Sequence, residues 1–240
     1  MIINRFSLYL KRNIHSLTSF TWIICGMFIL GCASTSPPKR GDDFLTRYKE
    51  YQSLGRIGQA SLNKGEYEKA IDQYSKAIEI SPFEVSNYYY RGLAWYKNGN
   101  IDKAIADFDR VIMLDARWRS AYIYRGLCRM EGGEYRKALK DYKIALNRDS
   151  KDPVIHNNLA WLYAVAEDEQ LRDTAKALEH AKKAVELSHE KNAEILDTLA
   201  HAYFINGKIK EAIETEMKAV NLAPHNEGFR ENLESYEREM

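Results

Sequence analysis

One spacing governs what this chain can fold into: similar residues return every 34 positions. Small residues show the step most clearly, at Gly58, Gly92, Gly126 and Ala160. A fixed period of this length is the signature of stacked helical hairpins rather than of one globular core. Such stacks offer a long curved surface, and we therefore expect a chain whose work is to bind other chains.

Each copy of the period reads as helix A, a turn and helix B. Apolar residues recur at three- and four-residue spacing, which predicts helices, and glycines fall between the two helices at Gly65, Gly99, Gly133 and Gly207. Pro82 and Pro224 stand just past helix B, where proline marks a helix end. The sequence thus predicts an all-α solenoid over residues 44–226, with helix–turn–helix units at 51–84, 85–118, 119–152, 153–192 and 193–226.

Side-chain size supports helix crossings inside each unit. The eighth residue of every unit is Gly or Ala, and helix B carries an early alanine, as at Ala70 and Ala104. Two helices approach closely only where side chains are small, and larger residues then fill the gaps between units. We expect these gap-filling residues to be Tyr67, Tyr74, Phe108, Tyr135 and Tyr142.

These units resemble the tetratricopeptide repeat family, whose pattern is an aromatic or Leu, a small residue, an aromatic, then Ala, Phe or Tyr, Ala and Pro. The resemblance covers residues 51–226. Three positions depart from it: Ala116 and Ser150 replace the proline, and Glu216 stands where an aromatic is usual. The resemblance implies an interaction module that has no catalytic residues and no cofactor.

Two stretches interrupt or end the period. Five extra residues lie in the fourth unit, around residues 167–174, with Asp173 or Thr174 as a candidate N-cap for the next helix. We favour a longer helix A or a tolerated surface loop over a docking loop. Residues 227–240 read as one capping helix with Phe229, Leu233 and Tyr236 on one face, because the end of a solenoid needs a polar outer side.

The first residues resemble an export signal. Arg5, Lys11 and Arg12 precede twelve uncharged residues, 20–31, an apolar stretch of signal-peptide length. The run Ile29-Leu30-Gly31-Cys32 resembles the bacterial lipobox. We therefore predict a signal peptide at 1–31, lipidation of Cys32 and a flexible tether at 32–43. The alternative is one uncleaved transmembrane anchor, because residues 16–38 carry no charge.

The residue after Cys32 determines the membrane in which we expect the lipidated protein. Ala33 rather than Asp follows it, and by resemblance to Gram-negative sorting rules this favours the periplasmic face of the outer membrane. The transmembrane alternative would instead leave a scaffold anchored in the inner membrane.

Composition excludes other classes. Beyond residue 31 the chain has 32 basic and 34 acidic side chains, a balance that gives no support to nucleic-acid binding. The five histidines beyond residue 31 are scattered and predict no metal site, and Cys128 reads as a buried packing thiol. We find no catalytic constellation.

A recurring pair of opposite charges allows two interpretations. Arg91 and Arg125 recur one period apart, and so do Asp107 and Asp141. An arginine ladder for anionic peptides is one interpretation; a repeated Arg–Asp pair between helices is the one we favour, because both signs recur together.

The resemblance also places a concave groove along the A helices, at the second, fifth, ninth, twelfth and thirteenth position of each unit. Carried over, it predicts these partner-binding residues: Tyr89, Leu93, Tyr96, Lys97, Ile123, Leu127, Met130, Asn157, Trp161, His201 and Phe204. The lysine and asparagine clamp of the chaperone-binding members is absent, since Gly55 and Gln59 occupy its first pair of positions. A protein or peptide partner is expected, and the oligomeric state stays open.

Overall fold

The computed structural model describes residues 40–240, with side chains from residue 44. The predicted signal peptide, Cys32 and the predicted tether up to residue 39 lie outside the described residues. The chain divides into two compact units, with the boundary between Thr46 and Arg47 in the sequence. The first contributes only the opening turns of a helix to the described part, and the second, Arg47–Met240, holds the repeats.

Eleven α-helices and no strand make up the described residues. They are α1 (Arg40–Asn63), α2 (Tyr67–Ile80), α3 (Val85–Lys97), α4 (Ile101–Leu114), α5 (Arg119–Glu131), α6 (Tyr135–Arg148), α7 (Pro153–Val165), α8 (Thr174–Ser188), α9 (Ala193–Phe204), α10 (Ile209–Leu222) and α11 (Glu227–Arg238). The odd-numbered helices from α1 to α9 are the A helices of units 1 to 5. The even-numbered helices from α2 to α10 are the B helices of the same units. The predicted all-α solenoid of five repeats is confirmed.

Glycine turns connect helix A to helix B in four of the five units. Their glycines have φ between 70° and 77°, a left-handed conformation that costs other residues energy, at Gly65, Gly99, Gly133 and Gly207. The third turn shows how the helix ends: the N–H of Gly133 donates to the carbonyl of Met130 at 3.0 Å. These short turns make each A–B pair an antiparallel hairpin.

The fourth unit replaces the glycine turn with a loop. Helix α7 ends at Val165 and α8 begins at Thr174, so the alternative of a longer helix A is wrong and a surface loop is found. Arg136 of unit 3 anchors this loop, because its guanidinium donates to Asp168 at 2.7 Å and to Gln170 at 2.8 Å. Asp173 is the N-cap, accepting from the Lys176 N–H at 3.0 Å.

Helix A meets helix B through a glycine in units 1 to 3. A Cβ added to Gly58 would lie 2.9 Å from the Tyr74 ring, and one added to Gly126 would lie 2.5 Å from the Tyr142 ring. Tyr74 and Tyr142 are buried beneath these glycines. The expectation that small residues permit close crossings is confirmed. Cys128 is buried, as predicted, in a core cluster with Ala104 and Phe108, and burial raises the pKa of its thiol to about 12.

The two ends of the solenoid differ from the prediction in one respect. Helix α1 begins at Arg40, four residues before the predicted solenoid and inside the predicted tether. Helix α11 is the predicted cap: Phe229 and Tyr236 are buried and its charged residues are exposed. No helix in the described part is both long and apolar enough to traverse a lipid bilayer.

Ion pairs recur between helix A and helix B of units 2 and 3. The Arg91 guanidinium donates to both oxygens of Asp107, at 2.8 and 2.7 Å, and Arg125 does the same to Asp141, at 2.9 and 2.6 Å. Both carboxylates are buried. The interpretation as repeated Arg–Asp pairs is confirmed, and these arginines are not free to form an anion-binding ladder.

Candidate partner-binding groove

The concave stripe predicted on the A helices divides into residues that pack and residues that stay open. Tyr89 of α3 is a packing residue, because its ring lies 5.4 Å from the Trp118 ring and 6.1 Å from those of Phe108 and Tyr124. Burial raises the pKa of its hydroxyl to about 12. Leu93 packs against the same cluster, and both side chains are half-buried.

Tyr96 ties unit 2 to unit 3 on this stripe. Its hydroxyl donates to Glu131 Oε1 at 2.6 Å, and its ring lies 6.3 Å from that of Tyr124. Burial, followed by the Glu131 hydrogen bond, raises the pKa of the Tyr96 hydroxyl. Lys97 beside it is exposed and pairs with no carboxylate among the described residues.

One predicted groove residue of unit 3 is more deeply buried than the resemblance implied. Ile123 exposes only 6% of its surface and belongs to the core cluster with Tyr142 and Ile155, so it does not line an open groove. The apolar residues that α6 and α7 contribute to this cluster bury its side chain. Leu127 and Met130 are half-buried and keep part of their surface on the stripe.

Units 4 and 5 present the open part of the groove. Trp161 on α7 exposes 37% of its surface, and its ring lies 5.2 Å from that of His201 on α9. Phe204 instead stacks on Tyr236 of the cap, with ring centroids 4.6 Å apart. Asn157 is half-buried, and its buried Oδ1 has no hydrogen-bond partner in the described part.

The sequence prediction missed a tyrosine position that lines the groove. Tyr90 and Tyr124 occupy the sixth residue of units 2 and 3, and each stacks on an aromatic of the preceding helix B. The Tyr90 ring lies 5.6 Å from Tyr74, and the Tyr124 ring lies 5.9 Å from Phe108. A tyrosine recurs here after 34 residues, and this recurrence could have identified both positions from the sequence.

A cavity of about 510 Å³ opens between α1 and α3 in the first two units. The stacked Tyr74 and Tyr90 rings belong to its wall, together with the exposed Arg56. The remaining lining residues are Tyr51, Gln52, Gly55, Gln59, Ser86 and Asn87. This cavity could hold a side chain of a bound polypeptide.

An acid pair closes the other end of the stripe. Glu216 of α10 has no exposed surface, and neither of its carboxylate oxygens has a hydrogen-bond partner in the described part. Burial first, then the neighbouring Asp197 carboxyl of α9, raises the pKa of Glu216 to about 8. Asn232 of the cap donates to Asp197 Oδ1 at 2.8 Å, so the pair joins three helices. Glu216 takes the place of the aromatic that units 1 to 3 hold at this position, namely Tyr74, Phe108 and Tyr142.

Two histidines that are distant in the sequence meet behind the groove. The Nδ1 atoms of His156 and His180 lie 3.0 Å apart, and His156 Nε2 lies 3.1 Å from the Ser150 carbonyl. Because a carbonyl only accepts, His156 donates from Nε2 to Ser150, and one of the two Nδ1 atoms donates to the other. In the described part, no group of three or more His, Cys, Asp or Glu residues is placed to hold a metal ion.

Comparison with known proteins identifies the repeats. Models described as TPR repeat and Tetratricopeptide repeat match residues 58–99, 85–118 and 193–226. No curated protein matches the sequence.

Solved structures show the same fold. TTC0263, a thermophilic TPR protein in Thermus thermophilus, is similar with a TM-score of 0.63 and 22% identity, over 78% of this chain and 98% of that one. MamA from Desulfovibrio magneticus RS-1 is similar with a TM-score of 0.61 and 22% identity, over 72% of this chain and 94% of MamA. A chain of the APC/C hetero-tetramer Cut9–Hcn1 is similar with a TM-score of 0.72 and 18% identity, over 82% of this chain and 38% of that one.

The matched repeats, the five stacked hairpins and the similar structures agree with one another. Repeats of this kind form scaffolds for protein–protein interaction. The described part of this chain is built of tetratricopeptide repeats.

Proposed function

We propose that this protein is a lipid-anchored adaptor that holds a partner polypeptide in the concave groove of its repeats. The observation that carries the proposal is Trp161, a tryptophan left 37% exposed on the concave stripe beside His201. Tryptophan is enriched at binding hot spots, and an exposed apolar stripe typically marks a partner site. Leu127 and Met130 continue that stripe on the neighbouring A helix.

An adaptor role fits the chemistry of the described residues better than catalysis. The strongly shifted pKa values belong to groups that contribute to helix packing, such as the half-buried Tyr89 and the buried Cys128 and Glu216. The Cys128 thiol, the nucleophile type among them, has no exposed surface, and its raised pKa keeps it protonated at neutral pH. These pKa shifts reflect burial, which structural side chains also experience.

The anchor is proposed from the sequence. The lipobox-like run ending at Cys32 supports a lipidated first mature residue, and Ala33 supports retention at the periplasmic face of the outer membrane. Two or three acyl chains hold a protein on a membrane durably, since each buried CH₂ contributes about 0.8 kcal/mol.

Fractionation of cells tests the anchor. Cys32→Ser should move the protein from the membrane pellet to the soluble periplasmic fraction. A matched Cys25→Ser variant should stay in the pellet, because Ile24 precedes Cys25 where the lipobox requires a small residue. A Cys32→Ser protein that stays in the membrane would favour the second candidate, an inner-membrane scaffold with an uncleaved helix within residues 16–38.

Site-specific photo-crosslinking tests the groove. A photoreactive phenylalanine placed at Trp161 should give a discrete protein adduct in growing cells. The photoreactive phenylalanine placed instead at Met113, which is 65% exposed on a B helix, should give no discrete adduct. Equal labelling at both positions, or none at Trp161, would contradict binding in the groove.

A further inference from the structure

The two ends of the groove carry opposite charge. At the end formed by units 1 and 2, Arg56 lines the cavity and Lys97 lies exposed on the stripe. No Asp or Glu lines that cavity, and neither cation forms an ion pair within the described residues. One acid, Glu84, reaches the rim by accepting from the Ser86 hydroxyl at 3.0 Å. The net charge at this end is therefore positive.

Acids mark the end formed by unit 5. Glu194 is exposed at the second position of its unit, the position at which Gln52 and Ser86 line the cavity of the first two units. Asp197 follows at the fifth position. His201 adds no compensating charge at neutral pH, because burial lowers its pKa.

The region between the two ends is mostly apolar. Leu127, Met130 and Trp161 occupy it beside the half-buried Asn157, and Glu131 at its edge accepts a hydrogen bond from Tyr96 at 2.6 Å. A polypeptide that follows the stripe thus meets cations, then apolar side chains, then acids.

The charge of the solenoid also changes sign along its length. Residues 44–118 hold 11 basic and 10 acidic side chains, residues 119–152 hold 9 and 5, and residues 153–240 hold 10 and 17. A field of this kind extends beyond contact distance and orients a charged partner during its approach. The overall charge therefore supports the acidic end of the groove, whereas the positive end rests on the local charges of Arg56 and Lys97.

We propose that the groove selects partner segments whose charge runs opposite to its own. The segment places acidic side chains beside Arg56 and Lys97, apolar or aromatic side chains on the Leu127–Trp161 region, and basic side chains beside Glu194 and Asp197. The inference rests on the proposed function, since it names the chemistry of the polypeptide that this same groove holds.

Selection from a random peptide library tests it. Phage displaying random 16-residue peptides are selected on the full-length protein in detergent micelles, with Trp161→Ala protein as the counter-selection. The expected winners are peptides with Asp or Glu at one end, apolar residues in the middle and Lys or Arg at the other end. Winners without such polarity would overturn this inference and leave the proposed function standing; no winners would contradict the proposed function itself.

Charge reversal then fixes the direction. For a selected peptide, Arg56→Glu should weaken binding about fivefold to tenfold, because an exposed pair is lost and replaced by a repulsion. Lys143→Glu changes the net charge equally in the same half of the solenoid but lies exposed on a B helix, and it should change affinity less than twofold. Equal effects of the two variants would show that bulk charge, and not the groove, attracts the peptide.

Discussion

At the scale of single residues, two helix glycines make opposite predictions for the same substitution. A Cβ on Gly126 would lie 2.5 Å from the ring of the fully buried Tyr142, whereas a Cβ on Gly55 would meet nothing within 4 Å. Gly126→Ala should therefore destabilise the fold by about 1–2 kcal/mol through overpacking. Gly55→Ala should stabilise it by about 0.5–1 kcal/mol, because alanine loses less backbone entropy in a helix.

Thermal unfolding followed by circular dichroism separates the two. The Gly126 variant should melt a few degrees below the wild type and the Gly55 variant at or above it. If both variants shift in the same direction, the close helix crossing is not what requires glycine at position 126.

Glu216 gives a pH dependence with a definite sign. Its pKa is raised from an ordinary value of 4.5 to about 8 in the fold, so the folded state keeps a proton that the unfolded chain has already released. Stability must then fall as pH rises from about 5 to 8, by roughly 3 kcal/mol, and level off above the folded pKa. Glu216→Gln, which cannot ionise, should lose this slope.

Melting temperatures between pH 5 and 9 test this prediction. Glu214→Gln, an exposed neighbour on α10, should keep the wild-type slope. The difference between the two variants also cancels the opposite contribution of His180 and His201, whose pKa values burial lowers. A Glu216→Gln protein with the wild-type slope would show that Glu216 is already ionised in the fold.

At the scale of helix pairs, the buried ion pairs predict a ranking. Arg91→Leu would leave Asp107, which is 5% exposed, without its cation and should cost about 3 kcal/mol. Arg125→Leu should cost less, because Arg129 also contacts Asp141, at 2.7 Å. Urea unfolding would measure both, and the double variant Arg91→Leu/Asp107→Asn should recover more than half of the loss. An Arg125 variant less stable than the Arg91 variant would contradict this account.

The Arg–Asp pairs also show which contacts between helices could be predicted from the sequence. Period alone located the Arg–Asp pairs and the glycine crossings, because each unit meets its neighbours in the same way. In unit 4 the period located the extra residues but left open whether they lengthen helix A or form a loop, because the loop is anchored by Arg136 from another unit. The period failed for His156 and His180, because the loop shifts the register that would have related them to sister units.

At the scale of the whole molecule, the fold was predictable and the groove only partly so. A solenoid repeats its packing, so five units in register specified the helices and the cap. The groove depends on how deep each side chain lies, and that varies from unit to unit. Ile123 and Tyr89 are drawn into packing layers, whereas Trp161 stays open at the corresponding face. The roles of these residues in partner binding stay predictions.

The central claim is that the exposed Trp161 binds a partner and is not needed for folding. The direct measurement pairs calorimetric binding of a library-selected peptide with thermal unfolding, on wild type and Trp161→Ala in the same buffer. We expect affinity to fall by about 2 kcal/mol, roughly thirtyfold, while the melting temperature changes by no more than a few degrees. Unchanged affinity with a clearly lower melting temperature would make Trp161 a core residue and would contradict the claim.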